Sequence, residues 1–349
     1  MCKEECPYDF RLAEVVSKLK EIQARKVLVQ LPNGLKKYYP ILRTTLEDLE
    51  IEVFLSLSHS WGVCDLALGE AKKTMCDTIL HVGHHGQVAL YTLSDIKIVC
   101  SPAFYKRNPI PLATRGLKLL MAKGCKRIGL FTTAQHLNYF QELREALSEA
   151  GAKVHTTQIF PWMPGQIIGC RFDTIVSNLD RKVDAYLVVG GGIFHGLGLF
   201  VTTNKPVIIA DPYSNRLIEV AEEASQILKK RLFKLMEALD KKNYAVVIST
   251  KIGQFRLALA QKIRDLLRGR GKVAELVVAD EISPSLLLNI PWAQAFVIVA
   301  CPRIAIDHQE EYPYPLLNPG EVKYVLRGSL EEYTPKDSLV PNLSLNNVA

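Results

Sequence analysis

The stretch Phe160-Pro161-Trp162-Met163-Pro164-Gly165-Gln166-Ile167-Ile168-Gly169-Cys170 is the segment around which the rest of this chain is organised. Inside a helix, proline costs about 3 kcal/mol and glycine about 1 kcal/mol, so this apolar segment is predicted to be a stiff loop. It ends on a cysteine, which indicates that the loop holds one thiol in place.

A second loop of the same kind occurs earlier, as Ser58-His59-Ser60-Trp61-Gly62-Val63-Cys64-Asp65. Its tryptophan, Trp61, precedes Trp162 by 101 residues. The same offset relates the apolar runs at Val27 and Ile128. The chain is therefore predicted to contain a structural repeat.

Composition narrows the class of protein. The 349 residues are enough for two or three domains, and 48% hydrophobic with 23% charged residues is typical of a globular protein. No apolar run reaches the roughly 18 residues that a membrane span needs, and the polar start does not resemble a signal peptide. We expect a cytoplasmic protein that binds no membrane. The net charge of +7 is spread along the chain, so no nucleic-acid partner is expected.

Buried strands followed by helical patterns recur three times along the chain. Such alternation predicts parallel sheets with right-handed crossovers. The predicted fold class is α/β, with three similar Rossmann-like domains whose parallel sheets surround a central cleft. The predicted limits are 1–105, 106–215 and 216–349. The opening strands of the three units are Lys26–Leu31, Arg127–Phe131 and Ala245–Ser249.

Three further expectations concern the last unit. The segment from Leu217 to Asp240 is predicted to be a helix that links the second and third units. Its fourth strand is predicted at Val322 to Leu326, and the chain beyond Ser329 is predicted to be a loose tail.

Three of the eight cysteines have a common placement. Cys64 and Cys170 follow the second strands of the first two units, and Cys301 follows the third strand of the last unit. Ligands of parallel α/β sheets bind beyond the carboxyl ends of the strands. Three thiolates meeting there favour a shared metal centre, an iron–sulfur cluster or zinc, over three small residues in tight loops.

The remaining cysteines have other surroundings. Cys76 and Cys125 stand just before strands and Cys100 lies within one, so all three are predicted to be core thiols. Cys2 and Cys6 form a pair in a charged terminus, and their role is left open.

Together these motifs are similar to those of the 2-(3-amino-3-carboxypropyl)histidine synthase family of diphthamide biosynthesis, in its archaeal form. The similarity extends from about Val27 to Arg303, with Trp61 standing where a smaller aromatic is expected. The matching segments are Trp61–Asp65, Thr132–His136, Pro164–Cys170, Gly192–Leu199, Ala210–Tyr213, Lys251–Leu257 and Val299–Arg303.

The resemblance implies a noncanonical radical chemistry with S-adenosylmethionine as co-substrate. In that family three cysteines hold a 4Fe–4S cluster, and here they match Cys64, Cys170 and Cys301. The family transfers a 3-amino-3-carboxypropyl radical to C2 of a histidine on translation elongation factor 2 and releases methylthioadenosine. An electron donor and a homodimer are implied as well.

We predict which residues contact S-adenosylmethionine from their loops. The glycines allow close backbone approach to a nucleoside or form a tight turn. The two glutamines are candidates for hydrogen bonds to the nucleoside, and the arginine either binds the methionine carboxylate or makes a structural ion pair. These candidates are Gln135, Gly190, Gly191, Gly192, Gln254 and Arg303. The candidates to surround a cluster are His59, His84, His85 and His195, whereas His81 is predicted to be a satisfied core histidine.

Two alternatives remain open at this stage. A quinolinate synthase also combines three similar domains with three cysteines and an iron–sulfur cluster, which it uses for dehydration. A non-catalytic partner subunit is the alternative from another class of protein. The full set of three cysteines and the compact length favour a self-sufficient homodimer.

Overall fold

The computed structural model describes residues 6–307 and 309–339. Cys2 lies outside these residues. The chain divides into two compact units. The first comprises the described residues up to Ile168 together with Ser177–His195 and Ile208–Ile218. The second comprises Gly169–Val176, Gly196–Val207 and the described residues from Glu219 onward.

Strands and helices alternate along most of the chain. In chain order the strands are β1 (Tyr8–Asp9), β2 (Lys26–Gln30), β3 (Glu52–Leu55), β4 (Thr78–Val82), β5 (Ala89–Leu93), β6 (Ile96–Ser101), β7 (Phe104–Tyr105), β8 (Arg127–Thr132), β9 (Lys153–His155), β10 (Ala185–Val189), β11 (Val207–Asp211), β12 (Arg216–Glu219), β13 (Asn243–Ser249), β14 (Val273–Ala279), β15 (Ala295–Val299) and β16 (Leu316–Leu317).

The α-helices are α1 (Leu12–Glu21), α2 (Tyr39–Glu47), α3 (Leu68–Lys73), α4 (Ile110–Ala122), α5 (Phe140–Glu149), α6 (Asp173–Leu179), α7 (Phe194–Thr203), α8 (Val220–Leu239), α9 (Leu257–Gly269), α10 (Pro284–Leu287) and α11 (Val322–Arg327). Short 3₁₀ turns include Asn33–Tyr38, Ala134–Tyr139, Pro302–Ala305, Pro319–Glu321 and Pro335–Leu339. None of the helices within the described residues combines the length and the apolar character needed to cross a bilayer.

Three sheets repeat one strand order. The first sheet is ordered β3-β2-β4-β6-β5, the second β12-β11-β10-β8-β9, and the third β14-β13-β15-β16. In each of them the first strand of the unit lies between the second and the third, and the fourth strand follows the third. The α/β class and the threefold repeat predicted from the sequence are therefore confirmed.

The register of the strands carries the 101-residue offset. In the first sheet Val27 pairs with Val53, and in the second Ile128 pairs with Val154, both in parallel. Each residue of the second pair is 101 positions after its counterpart in the first. The offset read from the tryptophans is thus the offset of two paired strands, which is what a repeated βαβ unit requires.

Each sheet has helices packed against it. In the first sheet, α1 and α2 cover one face and α3 the other. In the second, α4 and α5 pack on the strands through a core that includes Leu117 and Leu143. In the third, α8, α9 and α11 cover one face and α10 the other. Strands covered on both faces read as continuous apolar runs, and this is why they were recognisable in the sequence.

The fourth strand predicted for the third repeat is wrong. Val322–Arg327 is the helix α11, and the fourth strand of the third sheet is Leu316–Leu317. The preceding Asn318 and Glu321 form a capping box, with Pro319 in the first turn. The helix ends at Gly328, which has a left-handed conformation at φ 70°. Capping box and glycine stop together override the strand propensity of Val and Tyr.

The loose tail predicted beyond Ser329 is also wrong as far as residue 339. Leu330 and Tyr333 pack against the core of the third sheet, and Leu339 is buried. The hydroxyl of Ser338 donates to Glu321 Oε1 at 2.7 Å. A few apolar side chains are enough to hold this polar segment on the core.

The predicted domain limits stay a prediction. The first and third ranges each contain one complete large sheet, and β12 of the second sheet begins at Arg216, one residue past the predicted limit. The antiparallel edge strand β5 and the antiparallel pair β1-β7 were not predicted. The arrangement of the three sheets around one cleft likewise remains a prediction.

Candidate metal centre and cofactor site

Cys64 stands in the loop that follows β3. The Asp65 N–H donates a hydrogen bond to the Gly62 carbonyl at 3.0 Å, and the turn that this bond closes contains Cys64. A Cβ atom at Gly62 would lie 3.4 Å from Cys64 Sγ, so the glycine keeps the space beside the sulfur open. Cys64 is half-buried, as a thiol that has to meet a ligand requires.

The loop before Cys170 is pinned to the end of β8. Thr132 N–H donates to the Gly165 carbonyl at 2.8 Å, and Ile167 N–H donates to the Thr132 carbonyl at 2.9 Å. Gly165 has φ 76°, and a Cβ there would lie 2.0 Å from Cζ of Phe140. Only glycine fits this position, so the stiff loop predicted from the prolines and glycines is confirmed.

Cys301 follows β15 at the start of a 3₁₀ turn. Its N–H donates to Gln254 Oε1 at 3.2 Å, and its carbonyl accepts from Ile304 N–H at 3.2 Å. The next carbonyl, that of Pro302, accepts from Asn318 Nδ2 at 2.7 Å. Two buried side-chain amides therefore hold the backbone on either side of this cysteine.

The three cysteines fit a thiolate metal site by their exposure. Cys64, Cys170 and Cys301 are half-buried, and the seven described cysteines form no disulfide. Of the two compact units of the structure, the first contains Cys64 and the second contains Cys170 and Cys301. No three His, Cys, Asp or Glu side chains among the described residues are grouped to hold a metal ion. Convergence of the three sulfurs therefore stays a prediction.

The three cysteines predicted to be core thiols are buried, which confirms that prediction. Cys76, Cys100 and Cys125 are 5%, 2% and 8% exposed. Burial raises the pKa of each thiol, and that of Cys100 rises to about 12. A thiol that resists ionisation is a poor metal ligand, because the thiolate is the form that binds.

The glycine run after β10 has a structural reason at each position. A Cβ at Gly190 would lie 2.6 Å from Thr133 Cγ2, and one at Gly191 would lie 3.0 Å from the ring of Tyr213. Gly192 has φ 62°, and its N–H donates to Asp211 Oδ2. The tight turn is therefore present, and contact of these glycines with S-adenosylmethionine stays a prediction.

The polar side chains that were predicted to contact S-adenosylmethionine make hydrogen bonds or ion pairs within the protein. Gln135 Nε2 donates to the Gly83 carbonyl at 2.7 Å, which links the second sheet to the first. Arg303 is 3% exposed and makes a two-pronged ion pair with Asp307, at 2.7 Å for each contact. This is the structural ion pair that the sequence left as an alternative. Binding of a nucleoside or carboxylate by Gln135, Gln254 or Arg303 stays a prediction.

His81 differs from the four histidines that were predicted to surround a cluster, and the role of those four stays a prediction. His81 is fully buried with hydrogen bonds on both ring nitrogens, which confirms that it is a satisfied core histidine. His59 stacks on Trp61 with ring centroids 5.1 Å apart, and His85 Nε2 bonds to the Tyr91 hydroxyl. His195 lies edge-on to Phe194 in the first turn of α7. His84 bonds to His81 at 3.0 Å.

Sequence reasoning missed the buried polar side chains that support the cysteine loops. Gln30, at the end of β2, bonds to the backbone of Asp65 and Ala67, directly after Cys64 in its loop. In the second compact unit, Arg231 donates to the carbonyl of Ala305, at the end of the turn that follows Cys301, and to the carbonyl of Leu316, two residues before Asn318. Only the Asn-Pro-Gly-Glu capping pattern carried a readable signal.

Replacing Gln254 by leucine is expected to weaken metal retention at the third cysteine. The change removes the Gln254 oxygen that accepts from the half-buried Cys301 N–H, at a cost of about 1 kcal/mol. Iron bound per chain after anaerobic reconstitution measures the effect. Gln261→Leu, on the exposed face of α9, is the matched control and should bind as much iron as the parent. Equal iron in the two variants would show that Gln254 does not support the cysteine.

Comparison with known proteins gives consistent matches over most of the chain. The family model described as putative diphthamide synthesis protein matches residues 31–336. A 2-(3-amino-3-carboxypropyl)histidine synthase from Pyrococcus horikoshii is 34% identical over 92% of this chain and 91% of its own length. A human protein named subunit 1 of that synthase is 27% identical, over 92% of this chain and 72% of its own length.

The fold also resembles that of a solved structure over nearly the full length of both chains. The crystal structure of Dph2 from Pyrococcus horikoshii with a 4Fe–4S cluster superposes with a TM-score of 0.83 at 32% sequence identity. The match covers 96% of this chain and 95% of that one.

Proposed function

Because the chain belongs to the diphthamide synthesis family, we propose that it transfers the 3-amino-3-carboxypropyl group of S-adenosylmethionine to C2 of a histidine on translation elongation factor 2. The observation that carries this proposal is the set of three half-buried cysteines, one beyond the strands of each repeated sheet, in a fold like that of a protein with a 4Fe–4S cluster. The product is the first intermediate of diphthamide.

Cys64, Cys170 and Cys301 are the residues that would hold the 4Fe–4S cluster. Four thiolates saturate such a cluster, so three would leave one iron open to the co-substrate. When bound, the cluster supplies the electron that cleaves the bond from the sulfonium sulfur to the aminocarboxypropyl arm. The protein's own contribution is to hold the thiols at fixed positions. Gln30 and Asn318 support it by donating to carbonyls of the cysteine loops, and Gln254 supports it by accepting from the Cys301 N–H.

The protein orients S-adenosylmethionine through residues other than the cysteines. Which carbon–sulfur bond breaks depends on which carbon is held nearest the reactive centre. We propose that Gly190 to Gly192, Gln135 and Gln254 hold the nucleoside, so that the aminocarboxypropyl arm is directed inward. We propose that Arg303, whose Nε and Nη2 contact Asp307, also binds the methionine carboxylate.

Partners and location follow from this reaction. The protein substrate is translation elongation factor 2, and we propose an external one-electron donor that brings the cluster to its reduced state before cleavage. We propose a cytoplasmic homodimer that needs no second kind of subunit, because all three cysteine positions are present in this chain. A quinolinate synthase-like dehydratase is the less favoured alternative, since family membership argues against it.

One turnover under anaerobic conditions is expected to yield methylthioadenosine. The protein would be reconstituted with iron and sulfide, reduced with dithionite, and supplied with S-adenosylmethionine and elongation factor 2. Mass spectrometry should detect methylthioadenosine and an aminocarboxypropyl adduct on one histidine. Finding 5′-deoxyadenosine and methionine would return the protein to the ordinary radical class, and conversion of a dehydratase substrate without S-adenosylmethionine would support the alternative.

A further inference from the structure

A chain of hydrogen bonds in the first unit starts at the Cys64 loop and its direction is fixed by chemistry. The Asp65 carbonyl can only accept, so the group 2.7 Å from it is the Gln30 amide nitrogen. Gln30 Oε1 must then be the acceptor for Ala67 N–H at 3.3 Å and for His81 Nδ1 at 3.0 Å. Gln30 is 1% exposed, which leaves its amide no other arrangement with as many partners.

The tautomers of two histidines follow from this direction. His81 Nδ1 carries a proton, because Gln30 Oε1 can only accept it. Burial lowers the pKa of His81 far below its usual value, so the ring is neutral and its Nε2 holds a lone pair. His84 Nδ1 lies 3.0 Å from that Nε2 and must therefore be the donor. Because the neutral ring of His84 carries its single proton on Nδ1, its other nitrogen, Nε2, holds a lone pair.

The ring of His84 is held in place at the carboxyl end of β4. It stacks on His81 with ring centroids 5.1 Å apart. Its own carbonyl accepts from Gln166 Nε2 at 3.2 Å, and the Gly83 carbonyl accepts from Gln135. His84 is half-buried, and within residues 6–307 and 309–339 no group bonds to its Nε2, which is not among the fully buried side-chain atoms that lack a partner. A rigid ring thus presents one acceptor at the edge of the sheet where the Cys64 loop begins.

We propose that Nε2 of His84 accepts a hydrogen bond from the target imidazole of the protein substrate and so orients that ring for attack at C2. This inference rests on the proposed function. Gln30, His81 and His84 already form a directional series in which each ring N–H donates to the next acceptor. A third neutral imidazole extends the series by the same N–H···N bond.

The geometry of imidazole explains why this contact would orient the reacting atom. C2 is bonded to both ring nitrogens, so it lies next to whichever N–H is anchored. One hydrogen bond to a fixed acceptor therefore restricts C2 to a small volume and favours a single approach of the attacking carbon. Burial also lowers the pKa of His84 to about 4, so at neutral pH its ring accepts a hydrogen bond and does not repel the donor.

A pair of substitutions separates the role of Nε2 from the packing of the ring. In His84→Asn the side-chain amide can still donate to His81, but the distal acceptor is lost. In His84→Gln an amide oxygen reaches the position of Nε2. We expect His84→Asn to release methylthioadenosine like the parent while forming roughly tenfold less histidine adduct per methylthioadenosine, the loss expected for one hydrogen bond. His84→Gln should recover part of that ratio, and His155→Asn should keep it.

Other outcomes would overturn the inference. An unchanged ratio in His84→Asn would show that Nε2 does not contact the target. A parallel loss of methylthioadenosine would place His84 on S-adenosylmethionine instead, for example on its ammonium group. In the iron-free protein, ¹⁵N shifts should show Nδ1 protonated and Nε2 unprotonated, with Nε2 responding to added imidazole. That measurement does not depend on turnover. If the parent itself releases no methylthioadenosine, the proposed function fails while the tautomer is still tested.

Discussion

Alanine at any one of Cys64, Cys170 and Cys301 is expected to abolish most of the iron–sulfur absorbance of the reconstituted protein. Each change leaves two thiolates where three are needed, and two protein ligands do not hold a 4Fe–4S cluster against loss to solvent. The measurement is iron and sulfide per chain together with the visible absorbance after anaerobic reconstitution. Methylthioadenosine release should fall with the iron content.

The core thiols provide the matched controls for this experiment. Cys76, Cys100 and Cys125 are buried in the apolar cores, so their alanine variants should keep the full iron content and lose only a modest amount of stability. Full iron retention in Cys301→Ala would remove the third sheet from the metal centre. Loss of iron in Cys100→Ala, with the fold intact by circular dichroism, would place a ligand where the structure has a core residue.

Replacing Arg231 by methionine is expected to lower the free energy of unfolding by about 3–5 kcal/mol. Arg231 is 1% exposed and pairs with Glu321, which is fully buried. The same carboxylate accepts from the Asn318 N–H and the Ser338 hydroxyl. Without the arginine a buried carboxylate is left without its counter-charge. Urea unfolding of the iron-free protein measures the loss.

Two further variants show whether the unpaired charge is the cause. The double variant Arg231→Met with Glu321→Leu removes both charges and should recover part of the loss, because apolar groups replace the buried pair. Lys230→Met, on the exposed side of α8 beside Glu310, should change the free energy of unfolding by no more than about 0.5 kcal/mol. An equal loss in the single and double variants would mean that Arg231 acts by packing alone.

The elements that sequence reasoning recovered are those whose signal is local. Runs such as Ala245–Ser249 are apolar throughout because the strand is covered on both faces, and the 101-residue offset reappears as the pairing register of the first two sheets. The strand predicted at Val322–Leu326 failed because helix-capping residues on either side of it decided the outcome. These capping residues are themselves a local signal, and they favour a helix over a strand.

The sequence by itself determined the repeated α/β units and the placement of one cysteine beyond the strands of each. Both depend on residue order within a few turns or strands of chain. Only the tertiary structure decided which polar groups support those cysteines, because Gln30, Gln254 and Arg231 bond to residues 35 to 90 positions away. It also decided the tautomer of His84. The Asp65 carbonyl fixes the orientation of the Gln30 amide, and that amide fixes the protons of His81 and then of His84; these groups meet only in the folded chain.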